Sequence, residues 1–179
     1  MQTEIKFAGF GGQGILLSAK LLAHAAMKQG FFVAWVPSYG PEMRGGTAYC
    51  TVVIGDKRIG SPIVKNPSHL VAMNRPSLEK FANDVKKDGI IFINSSLIST
   101  RSERDDVNEL IVPANDIAIK AGSVKAANIV ALSSFAAKAG LVDLDVLKEC
   151  VKEEFAAKAK IIPLNMKAFD EGVKTAMSS

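Results

Sequence analysis

The chain has 179 residues, a length that suits one domain spanning 1–179. Hydrophobic residues make up 48% and charged residues 22%, the balance of an ordinary globular protein that can bury a core without disulfides. Lys and Arg number 22 against 18 for Asp and Glu, and the two signs interleave, as in Lys148-Glu149 and Lys152-Glu153-Glu154, so no clustered track for nucleic acid exists.

No stretch approaches the roughly 18 apolar residues of a membrane span, and residues 1–8 lead straight into a strand rather than a secretory leader. Cys50 and Cys150 are the two cysteines, far apart and inside predicted elements, as expected of core thiols in a reducing compartment. The expectation is a cytoplasmic protein that meets no membrane.

The first strand is Ile5 to Ala8, ending at Gly9, and Gly9-Phe10-Gly11-Gly12-Gln13-Gly14 makes a glycine turn. A helix follows from Ile15 to Lys28, with Lys20, His24 and Lys28 on one solvated stripe and Leu16, Leu17, Leu21, Leu22, Ala25 and Ala26 around the rest. Gly30 stops it. Phe31 to Val36 is a continuous apolar run, which predicts a buried parallel strand with Trp35 in the core. Strand, glycine turn, helix and strand form a βαβ unit.

Pro37 to Gly46 is too rich in Gly and Pro for helix or strand. Ala48 to Ile54 is a strand, and Gly55-Asp56-Lys57 turns into a short return through Arg58 and Ile59, predicting an antiparallel hairpin. Leu70 to Met73 is a short strand, Pro76 opens a helix carrying Leu78, Phe81, Ala82 and Val85, and Ile90 to Ile93 is the next strand. After a polar loop over 95–106 come a strand at Leu110 to Val112, a helix near Asp116 to Lys120, and an alanine-rich helix from Val124 to Ala139 closed by Gly140. Asp143 caps a helix bearing Leu144, Leu147, Val151 and Phe155, Pro163 interrupts, and Met166 to Met177 is the last helix. The predicted class is a three-layer α/β/α fold, Rossmann-like, with a mostly parallel sheet and one antiparallel hairpin.

Gly9, Gly11 and Gly14 satisfy G-x-G-x-x-G between a strand and a helix, the context in which that pattern carries meaning. Glycines let the backbone approach a ligand, and free N–H groups at the helix start favour an anion. A dinucleotide site also needs a carboxylate near the end of the second strand, where Val36-Pro37-Ser38 stands instead. A phosphate loop of the G-K-[ST] type is excluded because Ile15-Leu16 follows Gly14. Tight strand–helix packing, binding of a phosphate or carboxylate, and docking of a partner chain all stay open. The second loop, Ser38-Tyr39-Gly40-Pro41-Glu42-Met43-Arg44-Gly45-Gly46, leaves the carboxyl end of the second strand, where open α/β sheets bind ligands. Glu42 and Arg44 either pair to hold it or meet a ligand or neighbouring subunit.

His69 has no nearby Cys or second His, so no metal role is expected there. Asn128, alone in an apolar helix, predicts a buried amide bonded to loop backbone.

Taken together, the two loops resemble those of the gamma subunit of 2-oxoacid:ferredoxin oxidoreductases. The likeness extends through Gly60-Ser61-Pro62, Asn94-Ser95-Ser96, Asn128, Asn165, Ala168-Phe169 and Gly172, and so covers essentially the whole chain. The resemblance implies a subunit, inactive alone, of a complex that converts a 2-oxoacid, coenzyme A (CoA) and oxidised ferredoxin to acyl-CoA, carbon dioxide and reduced ferredoxin. It implies thiamine diphosphate, magnesium and iron–sulfur clusters on partner subunits, one thiamine-binding and one iron–sulfur, with ferredoxin reached through the complex. The second loop is most similar to subunits assigned to 2-oxoglutarate or branched-chain substrates, with 2-oxoglutarate ahead.

The residues agree with that division of labour. A thiamine site usually shows Gly-Asp-Gly, whereas the one Gly-Asp here is Gly55-Asp56 followed by Lys57. Two cysteines cannot supply the four thiolates of a [4Fe–4S] cluster. This chain is therefore expected to hold no catalytic residue and no metal. Gly9, Gly11, Gly12, Gln13 and Gly14, with Ser38, Tyr39, Gly40, Glu42, Arg44, Gly45 and Gly46, are expected to form the edge of a substrate- and CoA-side interface. Arg44 is available there to a carboxylate or a CoA phosphate. The rival reading is a stand-alone nucleotide- or anion-binding Rossmann-like module.

Overall fold

A computed structural model of the protein describes residues 1–38 and 47–178. Six strands form one sheet in the order β2-β3-β1-β4-β5-β6. They are β1 (Gln2–Phe10), β2 (Phe32–Pro37), β3 (Thr47–Gly55), β4 (His69–Ala72), β5 (Ile90–Asn94) and β6 (Asn108–Val112). β1, β4, β5 and β6 pair in parallel, whereas β3 runs against both β1 and β2.

Six α-helices accompany the sheet among the described residues: α1 (Ile15–Lys28), α2 (Arg75–Phe81), α3 (Ala114–Ala121), α4 (Ala127–Ala139), α5 (Leu144–Glu154) and α6 (Ile162–Met177). Mixed α/β layering with a mostly parallel sheet and an antiparallel pair is thus as expected, but the return strand of the expected hairpin is not. Arg58 and Ile59 form no strand; the antiparallel member is β3 itself, wedged between β1 and β2 and bonded to both. The helix break expected at Pro163 is also corrected. Proline lacks an N–H that the first helical turn does not need, and it stands in the first turn of α6.

The sheet separates two unequal cores. On one face Ile5, Phe7, Val52, Ile54, Val71 and Phe92 meet Leu21, Leu22, Ile129, Leu132, Phe135 and Phe169 from the helices. On the other, Ala8, Leu70, Ala72, Ile91 and Ile93 meet Leu78 and Phe81 of α2, with Val85 and Ile98. Successive residues of β4 serve opposite faces, Leu70 and Ala72 to one and Val71 to the other, which is the period of a pleated strand covered on both sides.

β2 departs from its expected place. Among the described residues it is an outer strand with β3 as its one neighbour, and Trp35 is 40% exposed rather than core. A continuous apolar run satisfies an edge strand as well as a buried one, so the run did not settle the position.

The tightest packing joins α4 to α6. Residues 127–136 are all buried, and the Ser134 hydroxyl donates to the Val130 and Gly172 carbonyls at 2.7 and 2.9 Å. A Cβ on Gly172 would come within 2.7 Å of the Val130 oxygen. Gly172→Ala is therefore expected to cost about 1–3 kcal/mol through overpacking, read as a lower urea midpoint with an unchanged slope.

Candidate functional site

The chain leaves β1 for β2 and β3 on one side, then returns to β4 on the other, so the strand order reverses between β1 and β4. Ligands of open α/β sheets bind at that reversal, beyond the carboxyl ends of the strands. The glycine loop sits there. Phe10, the last residue of β1, pairs with Thr47, and the Ser38 N–H donates to the Tyr49 carbonyl at 3.0 Å. Both ends of the second loop thus reach the same edge of the sheet. Tyr39, Gly40, Glu42, Arg44, Gly45 and Gly46 themselves lie outside the described residues.

Within the first loop the glycines divide their work. A Cβ on Gly9 would lie 2.7 Å from Gln13 Oε1 and 3.1 Å from Met73 Cβ, so this glycine permits close strand–loop packing. Gly14 has φ +73°, and a Cβ there would lie 2.7 Å from the Asn128 side chain. Gly12 has φ +91° with open space where its side chain would be. Both angles fall in the region where glycine alone is free of strain. Gly11 is exposed in the turn. Gly14 caps α1 without a side-chain acceptor, and the first turn carries no acid, so the orphan N–H groups there remain available to an anion.

Gln13 holds the loop in place. Its Oε1 accepts from Phe10 N–H at 2.7 Å and from Asn74 Nδ2 at 3.1 Å, and its Nε2 donates to the Met73 carbonyl at 3.3 Å. The same carbonyl accepts from Asn94 Nδ2 at 3.3 Å. Asn94 also donates to Asn115 Oδ1 at 2.9 Å and accepts from Ala114 N–H at 3.1 Å. Asn74 in turn caps α2 by accepting from Ser77 N–H at 2.9 Å. Asn128 behaves as expected, its Nδ2 donating to the Gly14 carbonyl at 3.5 Å, while its own carbonyl accepts from the Ser18 hydroxyl at 3.1 Å.

Among these amides a cleft of about 180 Å³ opens, lined by Gly12, Gln13, Met73, Asn115, Val124, Lys125, Ala127 and Asn128. Its size suits a carboxylate or phosphate group, not a whole dinucleotide, since drug-sized ligands need roughly 300–1,000 Å³. Lys125 brings positive charge, and the side-chain amides of Gln13, Asn115 and Asn128 belong to the same lining. Asn74, Asn115 and Lys125 were not anticipated. The signal for the first two was their position directly beyond parallel strands, which places a side chain at the carboxyl edge. A larger hollow of about 390 Å³ lies between α2 and residues 100–103. Its two arginines are already paired, Arg75 with Glu79 and Arg101 with Glu109, so it offers little uncompensated charge.

The donor set can be tested against the cofactors the resemblance implies. Cys50 lies on β3 and Cys150 on α5; both are buried and free. Burial pushes the Cys50 thiol up to about 12, which keeps it protonated and a poor ligand. A four-thiolate cluster does not fit these residues. Asp56 pairs with the N-terminal amine, and Gly55 aligns with Gln2 at the start of β1, at the sheet edge opposite the glycine loop. A thiamine-metal site does not fit that turn. His69 is also structural: its Nδ1 accepts from Ile90 N–H at 3.0 Å, and burial holds its pKa below the usual value. No described helix is long and apolar enough to cross a membrane.

Comparison with known proteins agrees with this architecture. The family model for pyruvate ferredoxin/flavodoxin oxidoreductase matches residues 4–175. The ketoisovalerate oxidoreductase subunit VorA of Methanothermobacter thermautotrophicus is 45% identical over 98% of this chain. The 2-oxoglutarate synthase subunit KorC of Methanothermobacter marburgensis is 34% identical over 85% of this chain and 86% of its own length. The gamma subunit of a keto/oxoacid ferredoxin oxidoreductase from Geobacter sulfurreducens superposes with a TM-score of 0.87 at 28% identity, covering 99% of both chains. The chain belongs to the pyruvate ferredoxin/flavodoxin oxidoreductase family. It spans 36% of the length of the two ketoisovalerate relatives it matches at 45% and 40% identity.

The amide network carries stability and the cleft rim does not. Asn94→Ala, which leaves buried groups without partners, is expected to cost about 2–3 kcal/mol. Lys125→Ala, at an exposed position, should stay within about 0.5 kcal/mol of the parent. Urea denaturation of both variants measures the contrast.

Proposed function

We propose that this chain is the gamma-type subunit of a thiamine diphosphate-dependent 2-oxoacid:ferredoxin oxidoreductase and is inactive alone. The complex converts a 2-oxoacid, CoA and oxidised ferredoxin to acyl-CoA, carbon dioxide and reduced ferredoxin. Thiamine diphosphate, magnesium and the clusters reside on a thiamine-binding and an iron–sulfur subunit. Membership of the family supports this reading, and so does the poor fit of Cys50, Cys150 and Asp56 to those groups. This chain then contributes shape and charge, not a nucleophile or an electron carrier.

The observation that carries the reading is the cleft at the strand-order reversal, lined by Gly12, Gln13, Asn128 and Lys125, next to the uncapped start of α1. Such a site receives an anionic group: a substrate carboxylate or a CoA phosphate. Gly12 and Gln13 line it, and Gly9, Gly11 and Gly14 complete the loop that carries them. Ser38 through Gly46, with Glu42 and Arg44, supplies the rest of the interface. A stand-alone NAD module is disfavoured, because β3 separates the end of β2 from β1 by two strand spacings, roughly 9–10 Å. No acid stands at Ser38 to take a ribose.

We favour a branched-chain 2-oxoacid as substrate over the 2-oxoglutarate that the second loop suggested. The ketoisovalerate relatives reach 45% and 40% identity, against 34%, 31% and 32% for the 2-oxoglutarate relatives. Purified alone, the chain should be colourless and inactive. Added to its partner subunits, it should restore viologen reduction, fastest with 2-oxoisovalerate. Arg44→Ala and Lys125→Ala should each raise the KM for 2-oxoacid or CoA about tenfold, the loss of one charge-assisted contact of about 1.4 kcal/mol. Unchanged kinetics and assembly in both variants would remove the loops from the interface.

A further inference from the structure

α1 and α5 lie side by side on the larger-core face, and two ion pairs join them: Lys20 to Glu154 at 2.9 Å and Lys28 to Glu153 at 2.6 Å. His24 stands on α1 one turn from each lysine, exposed and between the two pairs. Across from it, Cys150 and Glu153 share one face of α5 at the i, i+3 spacing. A ring nitrogen of His24, Cys150 Sγ and a carboxylate oxygen of Glu153 all lie within 4.8 Å of one another. We propose that these three residues bind a zinc-class divalent cation that ties α1 to α5, with water in the fourth position.

The chemistry of the trio selects the ion. A thiolate with an imidazole suits zinc, whereas magnesium and calcium take oxygen ligands. With metal–sulfur bonds of about 2.3 Å and metal–nitrogen or –oxygen bonds of about 2.0–2.1 Å, tetrahedral ligands stand roughly 3.3–3.7 Å apart. The three groups therefore need to close by no more than roughly 1.5 Å on binding. Cys150 is the fixed point at 1% exposure, while the exposed His24 and Glu153 side chains make the approach.

The surroundings act on the thiol in both directions. Burial raises the Cys150 pKa, and the Lys28 ammonium opposes that rise. A bound cation completes the deprotonation, the sulfur–hydrogen proton passing to water as the metal–sulfur bond forms. Lys28 bonds both Glu153 oxygens, at 2.6 and 2.7 Å, so one oxygen turns to the metal while the other keeps its lysine as an outer-shell partner. A solvent-open hollow of about 410 Å³, lined by Lys28, Asp145, Val146, Glu149 and Glu153, gives the ion a path and leaves room for the water. The ion pairs already hold the two helices in register, so the cation enters a nearly preset geometry. Spacing along the chain had given no metal ligands, because His24 and Cys150 become neighbours only through the fold.

Titration of the full chain with cobalt(II), a spectroscopic stand-in for zinc, tests the site. One equivalent should produce a thiolate-to-cobalt charge-transfer band in the near ultraviolet and tetrahedral ligand-field bands, both removed by zinc. Cys150→Ser should abolish the charge-transfer band. His24→Ala should weaken zinc binding at least tenfold, and at that exposed position it keeps the metal-free melting curve of the parent. Zinc should raise the parent Tm by several degrees and leave that of His24→Ala unmoved. Absence of the band, its survival in Cys150→Ser, or equal stabilisation of His24→Ala by zinc each overturns the proposal.

Discussion

One carbonyl oxygen, that of Met73, holds the working edge of this fold together. It accepts from Gln13 in the glycine loop and from Asn94 at the end of β5, both at 3.3 Å. Through these two amides the first loop, the end of β4 and the start of α3 become one piece. A buried amide left half-satisfied costs more than the hydrogen bond it lacks, so the members of such a network stand or fall together. The cleft beside it is therefore preorganised: its walls are fixed by bonds that do not involve a ligand.

The insertion of β3 between β1 and β2 has a second consequence for function. In a dinucleotide-binding sheet the first two strands of the βαβ unit are neighbours, and the second one ends at the ribose. Here an antiparallel strand fills the gap and brings Thr47 against Phe10. Phe10 and Thr47, not the end of β2, therefore stand side by side at that edge. A fold with Rossmann-like layers and a Gly-x-Gly-x-x-Gly turn thus lacks the adjacent second strand on which dinucleotide binding relies.

Much of this was legible residue by residue. α1 begins and ends where glycines stand at Gly14 and Gly30, because positive φ punctuates a helix more sharply than hydrophobicity does. Asp143 reads as an N-cap and acts as one, accepting from Asp145 and Val146. Asn128 was readable because a lone amide in an apolar helix must find a partner. Trp35 was not, since a run of apolar residues fits an edge strand and a central one alike. Strand order was also hidden: whether β3 pairs with its successor or wedges beside β1 is decided by long-range pairing. Asn74, Asn94 and Asn115 each look like an ordinary turn or cap residue, and only their shared place beyond parallel strands marks them as one network.

Hydrogen–deuterium exchange of the chain, free and then assembled with the proposed thiamine-binding and iron–sulfur partners in the presence of CoA, tests the central claim most directly. The account predicts slowed exchange in residues 9–17 and 122–130 on assembly, with the α2 surface at 75–83 unchanged. Protection confined to α2, or none at the glycine loop, would contradict it.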